Sequence, residues 1–178
     1  MIAVFVISGL LWATSAPSHK DGGSAAFVPS TALTVNRTLE RLDETKLRQV
    51  IHSRHGKSLF VNVWATWCEP CVEEFPDIVK LSNELHDKNI EFVGVSGDDF
   101  DDEASKVIPF IEKQKAYFKF YIAKLEGEDT FINAFNERWG GGIPATFVYD
   151  SRGKLKAMLV GKQSYQNLKA AIAKVLEK

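Results

Sequence analysis

The chain has 178 residues, 45% hydrophobic and 25% charged, with a formal net charge of -1. That length suits one domain with short extensions, and the composition supports an ordinary packed core rather than a disordered chain. So even a balance of charge excludes a nucleic-acid partner held by a basic face.

Residues 1–16 carry no charged side chain, and 2–12 is a nearly continuous apolar run followed by small residues. The pattern is that of an export signal. It is shorter than the roughly 20 apolar residues of a membrane span, and a membrane anchor stays open as the alternative. Residues 17–36 mix Pro, Gly, Ser and Ala and read as a linker, which leaves 37–178 for the folded domain. Asp43 is placed to cap a helix with Leu47, Val50 and Ile51 on one face and Gly56 as its stop.

Residues 58–64, Ser-Leu-Phe-Val-Asn-Val-Trp, form an apolar run broken by one amide, the signature of a central strand buried on both faces. A helical pattern follows to about residue 87, with Val72, Phe75, Ile78, Val79 and Leu85 at helical spacing. A second central strand is expected over 90–95. Next come a helix over 101–115, with Val107, Phe110 and Ile111 inward, a strand over 118–123 and a short helix over 129–136. Segments 145–149 and 154–160 flank Asp150-Ser151-Arg152-Gly153 and predict a hairpin. Ser164 then caps a last helix carrying Leu168, Ala171, Ile172 and Val175. The order predicts an α/β sandwich: a central mixed sheet flanked by helices, closed by a β-hairpin and a C-terminal helix.

The two cysteines of the chain share one motif, Trp67-Cys68-Glu69-Pro70-Cys71. A structural zinc site takes about four ligands, usually from two such pairs, and the four histidines are scattered. A bridge over so short a ring staples little of the fold. A redox dithiol remains. Cys68 stands where a strand delivers the chain into a helix, so unpaired N–H groups converge on it and favour its thiolate. It is therefore expected to be the exposed attacking sulfur, with Cys71 one turn further in as the resolving thiol. Pro70 fits a first helical turn, where its missing N–H costs nothing. Trp67 and Glu69 are expected at the rim, while Trp64 and Trp139 suit either rim or core. Pro76 removes the helical bond to Val72 and bends the helix or ends it. The acidic run 98–103 lacks the spacing of a calcium loop and reads as solvated. His52 and His55, on one predicted helix face, read as surface residues.

Residues 61–71, Val-Asn-Val-Trp-Ala-Thr-Trp-Cys-Glu-Pro-Cys, resemble the active-site segment of the thioredoxin superfamily. They are most similar to the TlpA/ResA-type bacterial thiol–disulfide oxidoreductases, as is Glu74-Phe75-Pro76. The resemblance spans roughly residues 57–178 and includes Gly140-Gly141-Gly142-Ile143-Pro144-Ala145-Thr146. It implies a thioredoxin fold in which Pro144 is a cis-proline facing the dithiol and Ile143 offers its backbone to an extended substrate segment. It also implies that Glu74 influences the cysteines and exchanges protons with Cys71. Asn62 stands where ordinary cytoplasmic thioredoxins carry a buried Asp; an amide cannot titrate, which leaves Glu74 as the proton handler.

The implied protein is a periplasmic or extracytoplasmic reductase of the cytochrome c maturation type, acting on protein disulfides without a cofactor. It is expected to be a monomer, re-reduced by a membrane-bound electron donor. Two alternatives stay open. A thiol peroxidase shares this fold but usually separates its attacking and resolving cysteines widely. A copper chaperone would use both thiols but normally needs a third ligand.

Overall fold

The computed structural model describes residues 38–125 and 129–176. The expected export signal or anchor and the linker, over residues 1–36, lie outside them. The apolar run Ser58–Trp64 forms strand β2, buried at every position, at the middle of a six-stranded sheet. The other strands are β1 (Glu40–Arg41), β3 (Ile90–Ser96), β4 (Lys119–Ile122), β5 (Ala145–Tyr149) and β6 (Leu155–Val160), in the order β1-β4-β3-β2-β5-β6. β1 through β4 run parallel, while β5 and β6 are antiparallel to their neighbours, so the sheet is mixed as expected. β2 and β3 pair from Ser58↔Ile90 to Trp64↔Ser96, and β2 meets β5 at Asn62↔Thr146.

Side chains alternate across a strand, and that alternation sorts the core into two faces. Leu59, Val61 and Val63 pack with helices α1 (Glu44–His52) and α4 (Asp129–Phe135). Phe60 and Trp64 face the opposite way, towards α2 (Glu69–Glu84), α3 (Ile108–Lys113) and α5 (Tyr165–Leu176). Asn62 shares that second face, and this brings an amide under α2.

Asp43 caps α1 by accepting a bond from the Lys46 N–H at 2.7 Å. The helix stops at His52, short of Gly56, and His55 falls outside it with φ 47°, so the two exposed histidines share no helix face. α2 continues through Pro76 but ends at Glu84, three residues short of the expected end.

The single helix expected over 101–115 is three pieces: a 3-10 turn at Phe100–Asp102, a π-helical turn at Glu103–Val107, and α3. Pro109 supplies the reason, since it cannot donate to the carbonyl of Ser105 and so interrupts an α-helical ladder there. Phe110 still turns inward, half-buried against Trp64 and Phe75. The acidic run at residues 98–103 is exposed at Asp99 and Asp101, as its composition suggests, but both of its ends, Asp98 and Glu103, are buried. Glu103 accepts the Leu39 N–H at 2.5 Å and pairs with Arg41 at 3.1 Å. Arg41 in turn lies over the Phe100 ring, 3.8 Å from its centroid. Strand β1, absent from the sequence-based expectation, is held by these contacts and by its ladder to β4. Among the described residues, no helix is long and apolar enough to cross a membrane.

Candidate active site

β2 delivers Trp64 to the carboxyl edge of the parallel strands, and a short turn through Ala65, Thr66 and Trp67 leads into α2. Cys68 is the N-cap of that helix, in extended backbone conformation, and its carbonyl accepts the N–H groups of Cys71 and Val72 at 3.0 Å. Glu69 and Pro70 occupy the exposed first turn, where the missing proline donor is not needed. Cys68 and Cys71 are joined as a disulfide, with S–S 2.09 Å and Cα atoms 5.2 Å apart. The expectation of an exposed outer cysteine is corrected here. Cys68 is only 6% exposed against 2% for Cys71, because Trp64, Ala65 and Phe75 of one apolar cluster surround the pair. The exposed feature is Trp67, at 66%.

Ile143 packs against the cluster that holds both cysteines, and the Ile143–Pro144 bond is cis. The Pro144 carbonyl accepts the Gly161 N–H at 2.8 Å. Among the described residues, neither backbone group of Ile143 bonds to another backbone group. Between Trp67 and Ile143 opens a groove of about 510 Å³, whose walls include Asp98, Phe100 and Leu125.

Glu74 lies one turn beyond Cys71 on α2 and is 1% exposed. Its Oε1 accepts from Asn62 Nδ2 at 3.2 Å, and its Oε2 accepts the Gln163 N–H. Asn62 Nδ2 also donates to Thr146 Oγ1 at 3.1 Å, so the amide ties α2 to β5. Burial pushes the Glu74 carboxyl above its ordinary value, and the bonds from Gln163 and Asn62 oppose that rise. Glu73 is the solvated neighbour, paired with Lys162 at 2.6 Å.

Both ambiguous tryptophans are core. Trp64 packs tilted against Phe75 and Phe110, with ring centroids 4.7 and 5.0 Å away. Trp139 donates its ring N–H to the Gly142 carbonyl at 2.8 Å. Sequence reasoning missed Thr66, Asp98, Thr146 and Gln163 as members of the site. A usable signal existed for two of them, since a hydroxyl and a carboxylate just beyond the ends of adjacent parallel strands emerge on the same edge of the sheet. Among the described residues, no group of three His, Cys, Asp or Glu side chains is placed to hold a metal ion.

The chain and its fold have counterparts among known proteins. The sequence pattern of the AhpC/TSA family matches residues 29–158. The chain belongs to the AhpC/TSA family. Thiol-disulfide oxidoreductase ResA of Geobacillus kaustophilus is 28% identical over 145 residues, covering 80% of this chain and 78% of that protein. ResA of Bacillus thuringiensis is 27% identical over 120 residues, so this family member spans 64% of that relative's length. Among solved structures, a thiol:disulfide interchange protein of the thioredoxin family from Chlorobium tepidum aligns with TM-score 0.58 and 30% identity, covering 70% of this chain and 83% of the other. The fold is therefore the thioredoxin fold.

Proposed function

We propose that this AhpC/TSA family member is a protein thiol–disulfide oxidoreductase of an extracytoplasmic compartment, working in the reducing direction. The observation that carries the reading is the Cys68–Cys71 disulfide in the first turn of α2 beside an open groove. In the reduced form, the helix N-terminus favours the Cys68 thiolate. That thiolate attacks one sulfur of a partner disulfide, the partner's S–S bond breaks, and the other partner sulfur leaves as a thiolate. Cys71 gives up its proton and attacks the Cys68 sulfur, which releases the reduced partner and restores the Cys68–Cys71 disulfide. Two electrons have then passed to the partner. Glu74 is the carboxylate that takes the Cys71 proton, its affinity for protons raised by burial.

Trp67, Glu69 and Pro70 form the rim that meets the partner protein. The backbone of Ile143, which bonds to no other backbone group among the described residues, receives an extended partner segment beside Pro144. A membrane-bound electron donor re-reduces the pair, the chain acts as a monomer, and the resemblance of residues 61–71 to the TlpA/ResA type supports cytochrome c maturation as the pathway. Equilibration with glutathione gives the reduction potential. A value near that of thioredoxin, about -270 mV, is expected, whereas one near about -120 mV would reverse the direction. In Cys71→Ser the mixed disulfide through Cys68 should accumulate and be captured with its partner. Its equal accumulation in Cys68→Ser would defeat the assignment of roles.

A further inference from the structure

Asp98 stands two residues beyond β3 and is 1% exposed. Burying a carboxylate is costly unless donors satisfy it, and this one is surrounded by them. Its Oδ2 accepts the Thr66 N–H at 3.0 Å and the Ser96 hydroxyl at 2.7 Å, while Oδ1 accepts the Thr66 hydroxyl at 2.5 Å. Its own N–H donates to Ser96 Oγ at 3.1 Å. Three donors on its carboxyl and one bond from its own N–H make a brace that ties the Thr66 and Asp98 segments together at several points.

What the brace connects is informative. Thr66 leads directly into Trp67 and Cys68. Asp98 leads directly into Asp99 and Phe100. Trp67, Asp98, Asp99 and Phe100 all line the groove beside the disulfide. One buried carboxylate thus joins the chain segments that carry its two lips. A turn that needed only local stability would be served by bonds within itself; these bonds reach across 32 residues of sequence to the segment just ahead of the redox pair.

We propose that Asp98 is a positioning residue: through Thr66 it fixes the separation of the Trp67–Cys68 turn from the Asp99–Phe100 lip, and so sets how tightly a protein disulfide is held at Cys68. This inference rests on the thiol–disulfide reading of the site. It assigns Asp98 no part in the sulfur chemistry.

The test is steady-state reduction of insulin disulfides by the full chain, with dithiothreitol as electron source, over a range of insulin concentrations. Asp98→Asn turns one acceptor into a donor facing the Thr66 and Ser96 donors, and Thr66→Val removes the hydroxyl. Misplacement of this order predicts a KM about tenfold higher in Asp98→Asn and about threefold higher in Thr66→Val, with kcat changing less than KM. Because both variants break one contact, the double variant should be no worse than Asp98→Asn alone. A lowered melting temperature with unchanged KM would make the brace merely structural and overturn the proposal, as would multiplicative effects in the double variant. Should Asp98→Asn fail to fold, the near-isosteric Thr66→Val decides alone, and an unchanged KM overturns the proposal. Wild type inactive on insulin would remove the redox reading and this inference with it, whereas active wild type with wild-type-like variants removes the inference alone.

Discussion

Glu74 keeps both carboxylate oxygens bonded, one to Asn62 and one to the Gln163 N–H, in a setting almost closed to water. Burial dominates and raises its pKa above the ordinary 4.5, against the lowering effect of those two donors. A carboxyl that binds its proton more tightly folded than unfolded favours the folded state fully below the unfolded pKa, and that contribution is lost as pH rises through the folded pKa. The unfolding free energy of the oxidised wild type minus that of Glu74→Gln should therefore fall as pH rises from about 4.5. Urea unfolding of both proteins across pH 4 to 8 measures the difference, and a flat difference would mean that Glu74 titrates alike in both states. The place of Glu74 was legible because its spacing from Cys71 puts it on the same helix face. Asp98 was missed although its place beyond β3 was a signal, since a string of acids reads as solvated and its donor Thr66 lies 32 residues away. Only the β2–β3 register, with Trp64 opposite Ser96, brings the two together.

The β5–β6 hairpin shows how one element constrains another. Asp150 accepts the N–H groups of Arg152 and Lys154 at 2.9 and 3.0 Å, and Gly153 turns the chain with φ 77°. A Cβ on Gly153 would stand 2.8 Å from the Ile51 carbonyl oxygen and 2.9 Å from His52 Nδ1, so the turn rests against the end of α1. Gly153→Ala combines an unfavourable backbone angle with a backbone clash and should cost about 2 kcal/mol or more. Denaturant unfolding checks this, and a loss below about 0.5 kcal/mol would mean that turn and helix separate freely. The hairpin was legible from its turn residues, as were β2 and β3 from their apolar runs. β1 was not, because the two exposed residues Glu40 and Arg41 carry no pattern and gain their place from β4, Glu103 and Phe100. The broken helix at 100–113 escaped notice because its apolar spacing is helical, while the single proline within it decides the backbone.

At the scale of the whole described domain, the core falls into three apolar clusters on the two faces of one sheet. They are not independent. Ile143 packs against both the α1–α4 cluster and the cluster holding the cysteines, and Phe118 joins the latter to the α2–α5 cluster. β2 contributes to all three, so neither face can open without exposing the other side of the same strand. Domains of this size with one connected core unfold in a single cooperative step. Trp64 and Trp139 report from opposite faces, both buried, and Trp→Phe substitution at each isolates its contribution to the emission. With the disulfide intact, both signals and the far-ultraviolet circular dichroism should follow one denaturation curve with a shared midpoint. A separate, earlier transition at Trp64 would show that the redox face loosens while the α1–α4 face stays folded. The groove beside Cys68 would then belong to a softer subdomain, and shared strand β2 would not couple the two sides.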